Sequence, residues 1–455
     1  MAMLTKEKDM ADRKISDAER RRRARLRRQR EELRRRRRRR AYILRSVLAA
    51  IGILLIVLAV RGIAGALGNG QNGAEQTGAE AQSDGTQAMS REEYAALLAA
   101  QYDYDGAVEV LNETEGAGRS SEIQAAITEY RTAQADLVEM SAATVRHFSF
   151  PTLLVNGDAA AEGTSPLTVD QFNQILQELY DNGYVLVDLY DLVETVTDSA
   201  GSTAFQMGSI WLPEGKKPFV LSQRDVSYPF EKAGNGYASR LVLNSDGNIV
   251  NEYMQPDGST VTGNYDVVPC LNAFIEEHPD FCYRGARGTL GLTGYNGILG
   301  YRTSSYLSSE ENNPYAAAYG TFDTAAETEN CRQVVEALKN SGWNLASYGN
   351  NYISYGSELS LVEADNGQWQ SDVAALIGGS DILIYPCETD IGSWSEYTDS
   401  NEKYTYLQSQ GFRYFCIEAG SNLTWIQVRP GYVRQGIHEI DTYEEFQNVM
   451  NLENA

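Results

Sequence analysis

The sequence predicts an α/β fold with parallel strands, and three observations carry that prediction. From Phe148 onward, short apolar runs alternate with amphipathic helical patterns, which is typical of strands connected by helices. The alternation continues for about 300 residues, the usual size of an α/β barrel. Between Ser239 and Asp266 it is interrupted by turn sequences that separate short β-rich runs, so we expect an antiparallel β insertion there.

The individual elements follow from the same patterns. Short apolar runs predict strands at 151–155, 184–187, 218–221, 382–385 and 412–417, and amphipathic spacing predicts helices at 168–182 and before residue 340. The whole α/β domain is expected to occupy residues 146–445. Upstream, a capping-box pattern at Ser90 to Glu93 and a helical stripe from Ser121 to Met140 predict a small helical module at 90–140. We interpret this module as a stalk or packing cap.

Charge is divided very unevenly along the chain. The formal net charge is −23, yet residues 1–40 contain 19 Lys or Arg against only 7 Asp or Glu. The following segment, 41–67, is almost wholly apolar, and Arg45 and Arg61 flank its uncharged centre. A transmembrane helix needs roughly 20 apolar residues, and Arg side chains near its ends reach the headgroups. The pattern predicts a cytoplasmic basic tail at 1–40, one transmembrane helix at 41–67, and a flexible linker at 68–89.

This reading places the protein in the cell membrane as a single-pass protein, with a cytoplasmic N-terminus and an extracellular C-terminal domain. A cleaved signal peptide is the alternative, because Ala64 to Ala66 resembles a small-residue cleavage site. An arginine run also occurs in nucleic-acid-binding proteins, but here it adjoins the apolar segment, so we expect no nucleic-acid partner.

The sequence does not indicate an oligomeric state. Five cysteines without CxxC spacing predict no zinc site.

Several motifs occur in the same order as in a known family. They are Thr168 to Leu176 with Gly183 to Val187, Thr293 to Thr303, Gly342 to Ser347 and Asp390 to Trp394. With these motifs, residues 148 to 445 resemble the NodB-like polysaccharide deacetylases, especially a membrane-anchored bacterial subgroup. The resemblance implies a distorted (β/α) barrel, a carbohydrate N-deacetylase activity, a divalent metal such as zinc, and a cell-wall or surface glycan as partner.

The resemblance also indicates where the catalytic residues should be. Active members end an early strand with Phe-Asp-Asp, whose first Asp is the general base and whose second binds the metal. In this sequence Arg224 occupies the base position and Asp225 the ligand position. The two histidine ligands of the family correspond to Tyr348 and Tyr352. The resemblance therefore implies a degenerate metal site, and an ion pair between Arg224 and Asp225 is expected to replace it.

Physical chemistry gives the same expectation for the metal. A neutral phenol is a weak ligand for a divalent ion, and a guanidinium a few ångströms away repels a dication by several kcal/mol at intermediate dielectric, to order of magnitude. No cofactor is therefore expected. The three histidines are isolated in the sequence, and of these His438 is a candidate catalytic residue. The candidate substrate-binding residues are Tyr228, Tyr301, Tyr385, Asp390 and Trp394. Four of them carry aromatic rings with polar edges, which suit sugars.

Three hypotheses follow. The first is a glycan- or partner-binding pseudoenzyme, and the second is a divergent carbohydrate deacetylase or glycoside hydrolase that uses Asp225, Asp390 or His438. The third is an interaction protein in which the helical module at 90–140 carries the function.

Overall fold

The computed structural model describes residues 89–114, 118, 120–161, 164–197, 199, 201–420 and 424–451. These residues lie in the compact unit that begins at Gln87. The α-helices in the described part are α1 Arg91–Ala100, α2 Tyr104–Glu113, α3 Ser121–Ala135, α4 Val169–Asp181, α5 Val267–Glu277, α6 Ala316–Tyr319, α7 Thr324–Asn340, α8 Leu359–Trp369, α9 Ala375–Ile377, α10 Glu402–Ser409 and α11 Tyr443–Asn451.

The strands are β1 Leu137–Ser141, β2 Arg146–Phe150, β3 Tyr184–Leu186, β4 Val193–Thr197, β5 Thr203–Met207, β6 Ser209–Pro213, β7 Lys217–Gln223, β8 Ala238–Leu243, β9 Ile249–Met254, β10 Thr260–Gly263, β11 Thr289–Leu292, β12 Asn344–Ser347, β13 Ile382–Ile384, β14 Tyr414–Glu418, β15 Ile426–Arg429 and β16 Tyr432–Glu439.

Seven parallel strands close into a barrel in the order β2, β7, β11, β12, β13, β14 and β16. Strand β3 pairs with the first residues of β7, and β15 runs antiparallel beside β16. The α/β barrel predicted from the alternating pattern is confirmed. Its strands read as short apolar runs because one face meets the barrel interior and the other meets the helices.

Side chains alternate between these two faces along each strand. Phe148, Phe219 and Leu221 belong to the larger core cluster, which also contains Phe172 and Ile175 of α4 and so fills the space between barrel and helices. Residues at the alternate positions, such as Val220, Ala346 and Cys416, belong to a second cluster and face the barrel interior. This alternation determines which residue at the end of each strand faces the barrel axis.

Two smaller units surround the barrel. Strands β8, β9 and β10 form a three-stranded antiparallel sheet where the sequence predicted an insertion. Helices α1, α2 and α3 share a small apolar cluster. They contact the barrel through the hydroxyl of Tyr102, which donates to the carbonyl of Asp280 at 2.8 Å, and through the carbonyl of Gln101, which accepts from the Arg284 N–H at 2.8 Å.

Some predicted boundaries are wrong. The first barrel strand is Arg146–Phe150 instead of 151–155, because Pro151 lacks the N–H that a ladder needs and the inward positions of β2 are the polar His147 and Ser149. The helix predicted to reach Met140 ends at Ala135, since the following residues form β1 and pair with β6.

The helices of the described part contradict the predicted location in the cell membrane. None of them is long and apolar enough to cross a bilayer. The longest, Thr324–Asn340, has 17 residues and contains five charged side chains, whereas a span needs roughly 20 apolar residues. The predicted tail at 1–40 and span at 41–67 lie outside the described residues, as does nearly all of the linker at 68–89.

Candidate functional site

The candidate site lies where the parallel barrel strands end. In α/β barrels the carboxyl ends of the strands converge on one face, and the residues that follow them meet around the axis. Here β7 is followed by Arg224 and Asp225, β12 by Tyr348, and β16 ends at Glu439. We call this face the barrel mouth. It brings together Arg224, Asp225, Tyr348 and Tyr352, four of the residues that the sequence singled out.

Arg224 is held by two carboxylates at the mouth. Its guanidinium donates to Glu439 at 2.5 Å and to Asp441 at 2.5 Å. The side chains of Arg224 and Glu439 are only 7% and 15% exposed, whereas Asp441 is 58% exposed. Burial lowers the pKa of Arg224, but the two carboxylates raise it more, and the net pKa is above the ordinary value. Arg224 is therefore a fixed cation and cannot accept a proton as a general base.

The expected ion pair between Arg224 and Asp225 is wrong. Consecutive residues at a strand end point to different sides, and Asp225 adopts a left-handed conformation with φ of 51° that turns the chain out of β7. Its carboxylate accepts from Ser227 at 2.8 Å, from Thr293 at 2.6 Å and from Tyr295 at 3.4 Å. Asp225 is thus half-buried in a ring of hydroxyl groups, while Arg224 pairs with more distant parts of the chain.

Tyr348 and Tyr352 lie together, as the resemblance implies for a pair of ligand positions. Their ring centroids are 5.4 Å apart. Tyr348 is 2% exposed and Tyr352 is 46% exposed, with a left-handed φ of 55°. Burial is the largest influence on both hydroxyls and raises the pKa of each. Both side chains are therefore neutral phenols at physiological pH, one under the mouth and one on its rim.

Lys232 was not singled out from the sequence, but charged residues of the mouth affect the pKa of its ammonium group. Burial lowers its pKa, while the charges of Asp225 and Asp266 raise it and that of Arg224 lowers it. Its ammonium lies 5.0 Å from the ring centroid of Tyr237. The mouth thus contains two cations together with the carboxylates of Asp225, Glu439 and Asp441.

Three of the predicted substrate-binding tyrosines are buried. Tyr228 is 1% exposed, and its hydroxyl donates to Asp266 at 2.7 Å. Tyr385 is also 1% exposed and accepts from the hydroxyl of Tyr397 at 3.0 Å. Tyr301 is 5% exposed, with the guanidinium of Arg240 at 5.1 Å from its ring centroid. In this structure these rings pack within the fold and present little surface to a ligand.

Asp390 and Trp394 lie in the loop after β13. Asp390 accepts from the fully buried Arg434 at 2.5 Å and from the backbone N–H of Trp394 at 2.9 Å. Trp394 is 41% exposed and meets Trp425 edge-on, with ring centroids 4.8 Å apart. Asp390 is therefore committed to an internal ion pair, while Trp394 still presents an open aromatic surface.

His438 lies on the opposite face of β16 from the barrel axis. It is 7% exposed and its ring lies 6.3 Å from that of Phe148, which packs toward the helices. The next residue, Glu439, points inward and binds Arg224. Strict alternation along the β16 run could have identified Glu439 in place of His438, but only if the strand's register had been known.

A buried polar group lies deeper in the barrel. His147 contacts Gln435 through Nδ1 and Ser222 through Nε2, both at 2.9 Å. Burial lowers the pKa of His147 to about 3, so its imidazole is neutral. The hydroxyl of Ser149, next to Ser222 in the β2–β7 register, is buried without a hydrogen-bond partner. His147 thus bonds Gln435 and Ser222 beneath the mouth, while the amide nitrogen of Gln435, like the hydroxyl of Ser149, is buried without a hydrogen-bond partner.

The residues at the mouth do not fit a zinc ion. A catalytic zinc takes three protein ligands of imidazole, thiolate or carboxylate type. Among the described residues no group of three or more such side chains could hold a metal ion. At the positions that the resemblance assigns, only Asp225 is a suitable ligand, and Arg224 brings a positive charge beside it. These residues therefore do not fit a catalytic metal ion, and the expected absence of a cofactor stays a prediction.

Comparisons with known proteins give the following. No family model matches the sequence, and no curated protein matches it closely. A de-N-acetylase from Aggregatibacter actinomycetemcomitans aligns with 15% identity and a TM-score of 0.36, over 67% of this chain and 99% of its own.

Two solved structures from Bacillus also align. A polysaccharide deacetylase from Bacillus cereus has 11% identity and a TM-score of 0.32, over 69% of each chain. A Bacillus anthracis protein, provisionally assigned as a polysaccharide deacetylase, has 10% identity and a TM-score of 0.32, over 68% of this chain and 69% of its own. The two Bacillus proteins are thus named as polysaccharide deacetylases and the Aggregatibacter protein as a de-N-acetylase.

Proposed function

We propose that this protein binds a glycan at the barrel mouth and has lost metal-dependent deacetylation. The observation that carries the proposal is the ion pair of Arg224 with Glu439 and Asp441. It puts a permanent cation at the position that the motif resemblance assigns to the general base. The protein is then a polysaccharide-deacetylase-like pseudoenzyme.

The Arg224 ion pair opposes catalysis in two ways. Deacetylation needs an activated water and an electrophile that polarises the amide carbonyl. Arg224 has no lone pair with which to take a proton from water. Its guanidinium also engages the carboxylates of Glu439 and Asp441, which are then not free to bind a dication, and Tyr348 and Tyr352 offer neutral oxygens in place of imidazole nitrogens.

The polar groups that remain at the mouth suit an uncharged, hydroxyl-rich ligand. Asp225 accepts hydrogen bonds from Thr293 and Tyr295, and such a carboxylate can equally accept from a sugar hydroxyl. Tyr352 contributes a half-exposed ring on the rim. The carboxylates of Asp225, Glu439 and Asp441 disfavour a phosphate backbone, which supports a glycan over a nucleic acid as partner.

The proposal is tested with the purified full-length protein and two assays on one probe, the N-acetylglucosamine hexamer. Calorimetric titration is expected to detect binding, and Asp225→Asn is expected to weaken it. A coupled acetate assay, with zinc or cobalt added, is expected to detect no acetate above the buffer control. Acetate release that EDTA abolishes would show that the site is catalytic, and absence of binding would remove the glycan from the proposal.

One observation favours a second candidate, a glycoside hydrolase with rearranged residues. Glycosidic cleavage uses one carboxyl group kept protonated and a second that is ionised. Burial raises the pKa of Glu439, an effect that Arg224 partly offsets, and Asp225 is a second carboxyl group at the same mouth. Release of reducing ends from the hexamer, lost in Glu439→Gln, would support this candidate.

A further inference from the structure

Four aromatic rings form a cluster in the segments that follow β7 and β11, including the end of the short helix α6. Phe230, five residues after Asp225, is at its centre. The ring of Tyr319 stacks on Phe230 with centroids 4.5 Å apart and an interplanar angle of 19°. Tyr315 and Phe322 pack against the same ring at 5.0 Å and 5.6 Å. We call these four residues the aromatic platform.

Tyr319 is the outermost ring of the platform. Phe230 is 5% exposed, whereas Tyr319 is 45% exposed. Because one face of the Tyr319 ring lies against Phe230, the exposed area belongs to its other face and edge. A large aromatic ring held flat and open to solvent in this way is the surface that a pyranose uses, since its C–H face packs on the ring while its hydroxyls remain in water.

Arg302 connects the platform to the candidate site. Its guanidinium lies 4.1 Å from the Phe230 ring centroid. The same group donates to the carbonyl of Tyr228 at 2.9 Å and to that of Asn296 at 3.0 Å, in the loops that carry Asp225 and Tyr295. Arg302 is 6% exposed, and burial lowers its pKa to about 10. The platform and the two loops of the mouth are thus braced by one buried side chain.

We propose that Tyr319 is a stacking subsite for one sugar ring of a glycan whose neighbouring unit occupies the mouth at Asp225. The inference rests on the proposed glycan binding and adds to it a second contact point and a ligand class: an oligosaccharide of uncharged pyranose units. The side chain acts by its ring face, so the hydroxyl of Tyr319 is dispensable. Binding should therefore require a chain of sugars, and a monosaccharide should bind far more weakly.

Three variants of the full-length protein test this, with the N-acetylglucosamine hexamer as the titrated probe. Tyr319→Ala removes the ring and is expected to raise Kd by about 3- to 10-fold, the range for one aromatic contact. Tyr319→Phe keeps the ring and is expected to stay within about twofold of the parent Kd on the same scale. Tyr94→Ala is the matched control: Tyr94 is 47% exposed on α1, outside the barrel loops. It is expected to leave Kd unchanged.

Thermal unfolding of each variant separates a lost contact from a lost fold, because an exposed ring should change the melting temperature little. If the parent binds the hexamer and Asp225→Asn weakens it, but Tyr319→Ala binds as the parent does, the subsite is wrong while glycan binding stands. An equal loss in Tyr319→Phe and Tyr319→Ala would also contradict ring stacking. If the parent does not bind the hexamer, the proposed function itself fails, and the subsite with it.

Discussion

Removal of the Arg224 side chain should destabilise the fold through Glu439. Arg224→Ala leaves the Glu439 carboxylate, 15% exposed, without its cation. Loss of one partner from a deeply buried pair costs about 3 to 5 kcal/mol, and exposed pairs contribute about 0 to 1 kcal/mol. Since some water reaches Glu439, we expect the free energy of unfolding to fall by about 2 to 4 kcal/mol, between these limits and nearer the buried one. Asp441 adds little because it is mostly exposed.

The fall in the free energy of unfolding caused by Arg224→Ala should also depend on pH, because the pKa of Glu439 determines when its buried carboxyl group is charged. Burial raises its pKa, Arg224 lowers it, and Glu388 and Asp441 raise it. Without Arg224 the pKa rises further. A carboxyl group with a raised pKa in the folded state destabilises the fold when it is ionised. This destabilisation is therefore complete at pH values above the folded-state pKa of Glu439. It disappears as the pH falls toward the unfolded value of about 4.3, where Glu439 is protonated in both states.

Urea denaturation of parent and variant at pH 8 and pH 4.5 measures this difference. The double variant Arg224→Ala with Glu439→Gln should regain most of the stability at pH 8, because no charge is left buried. Arg429→Ala is a matched control, since Arg429 pairs with Glu396 on the surface, where both side chains are more than a third exposed; it should change stability little. An Arg224→Ala loss that is equal at both pH values, or that the double variant does not reduce, would refute the reasoning.

Other predictions follow from the same site. The triple variant Arg224→Asp, Tyr348→His, Tyr352→His should bind zinc by calorimetric titration, because it restores the ligand types that the family resemblance implies; a folded triple variant without zinc binding would show that these positions do not converge. His147 should stay neutral from pH 5 to 8, its pKa being about 3, so its imidazole NMR shifts should not titrate in that range; a titration near pH 6.5 would contradict its burial. Asp266→Asn should lower the melting temperature, since the buried Asp266 carboxylate accepts three hydrogen bonds; an unchanged melting temperature would show that those bonds contribute little.

The fold class could be predicted because the strands of a barrel are buried on both faces. Runs such as Pro218 to Leu221 and Ile382 to Tyr385 are apolar for that reason, and they lie within or overlap observed strands. The first strand was missed because its inward residues, His147 and Ser149, are polar. His147 is tolerated there because Ser222 of β7 and Gln435 of β16 supply partners, which no local pattern reveals.

The site could be predicted only in part, because its residues come from segments that are far apart in the sequence. Motif order assigned Arg224 and Tyr348 to one site, and in the structure both follow barrel strands at the mouth although they are far apart in the chain. The actual partner of Arg224 is Glu439, 215 residues away, and only strand register shows that Glu439 faces inward while His438 faces outward. Aromatic side chains were equally ambiguous: Tyr228 satisfies a buried Asp266, and the open ring of Tyr319 lies at the end of the short helix α6, without any motif.

The central claim is that Arg224 occupies the mouth in place of a metal ion, and zinc titration of the parent protein tests it most directly. Calorimetry of the full-length protein with zinc chloride, with the same titration of Arg224→Ala as comparison, measures the stoichiometry at neutral pH. We expect far less than one equivalent to bind to the parent at micromolar concentrations. One equivalent bound to the parent and lost in Asp225→Asn would contradict the account, because it would place a metal ion beside the guanidinium that is said to exclude it.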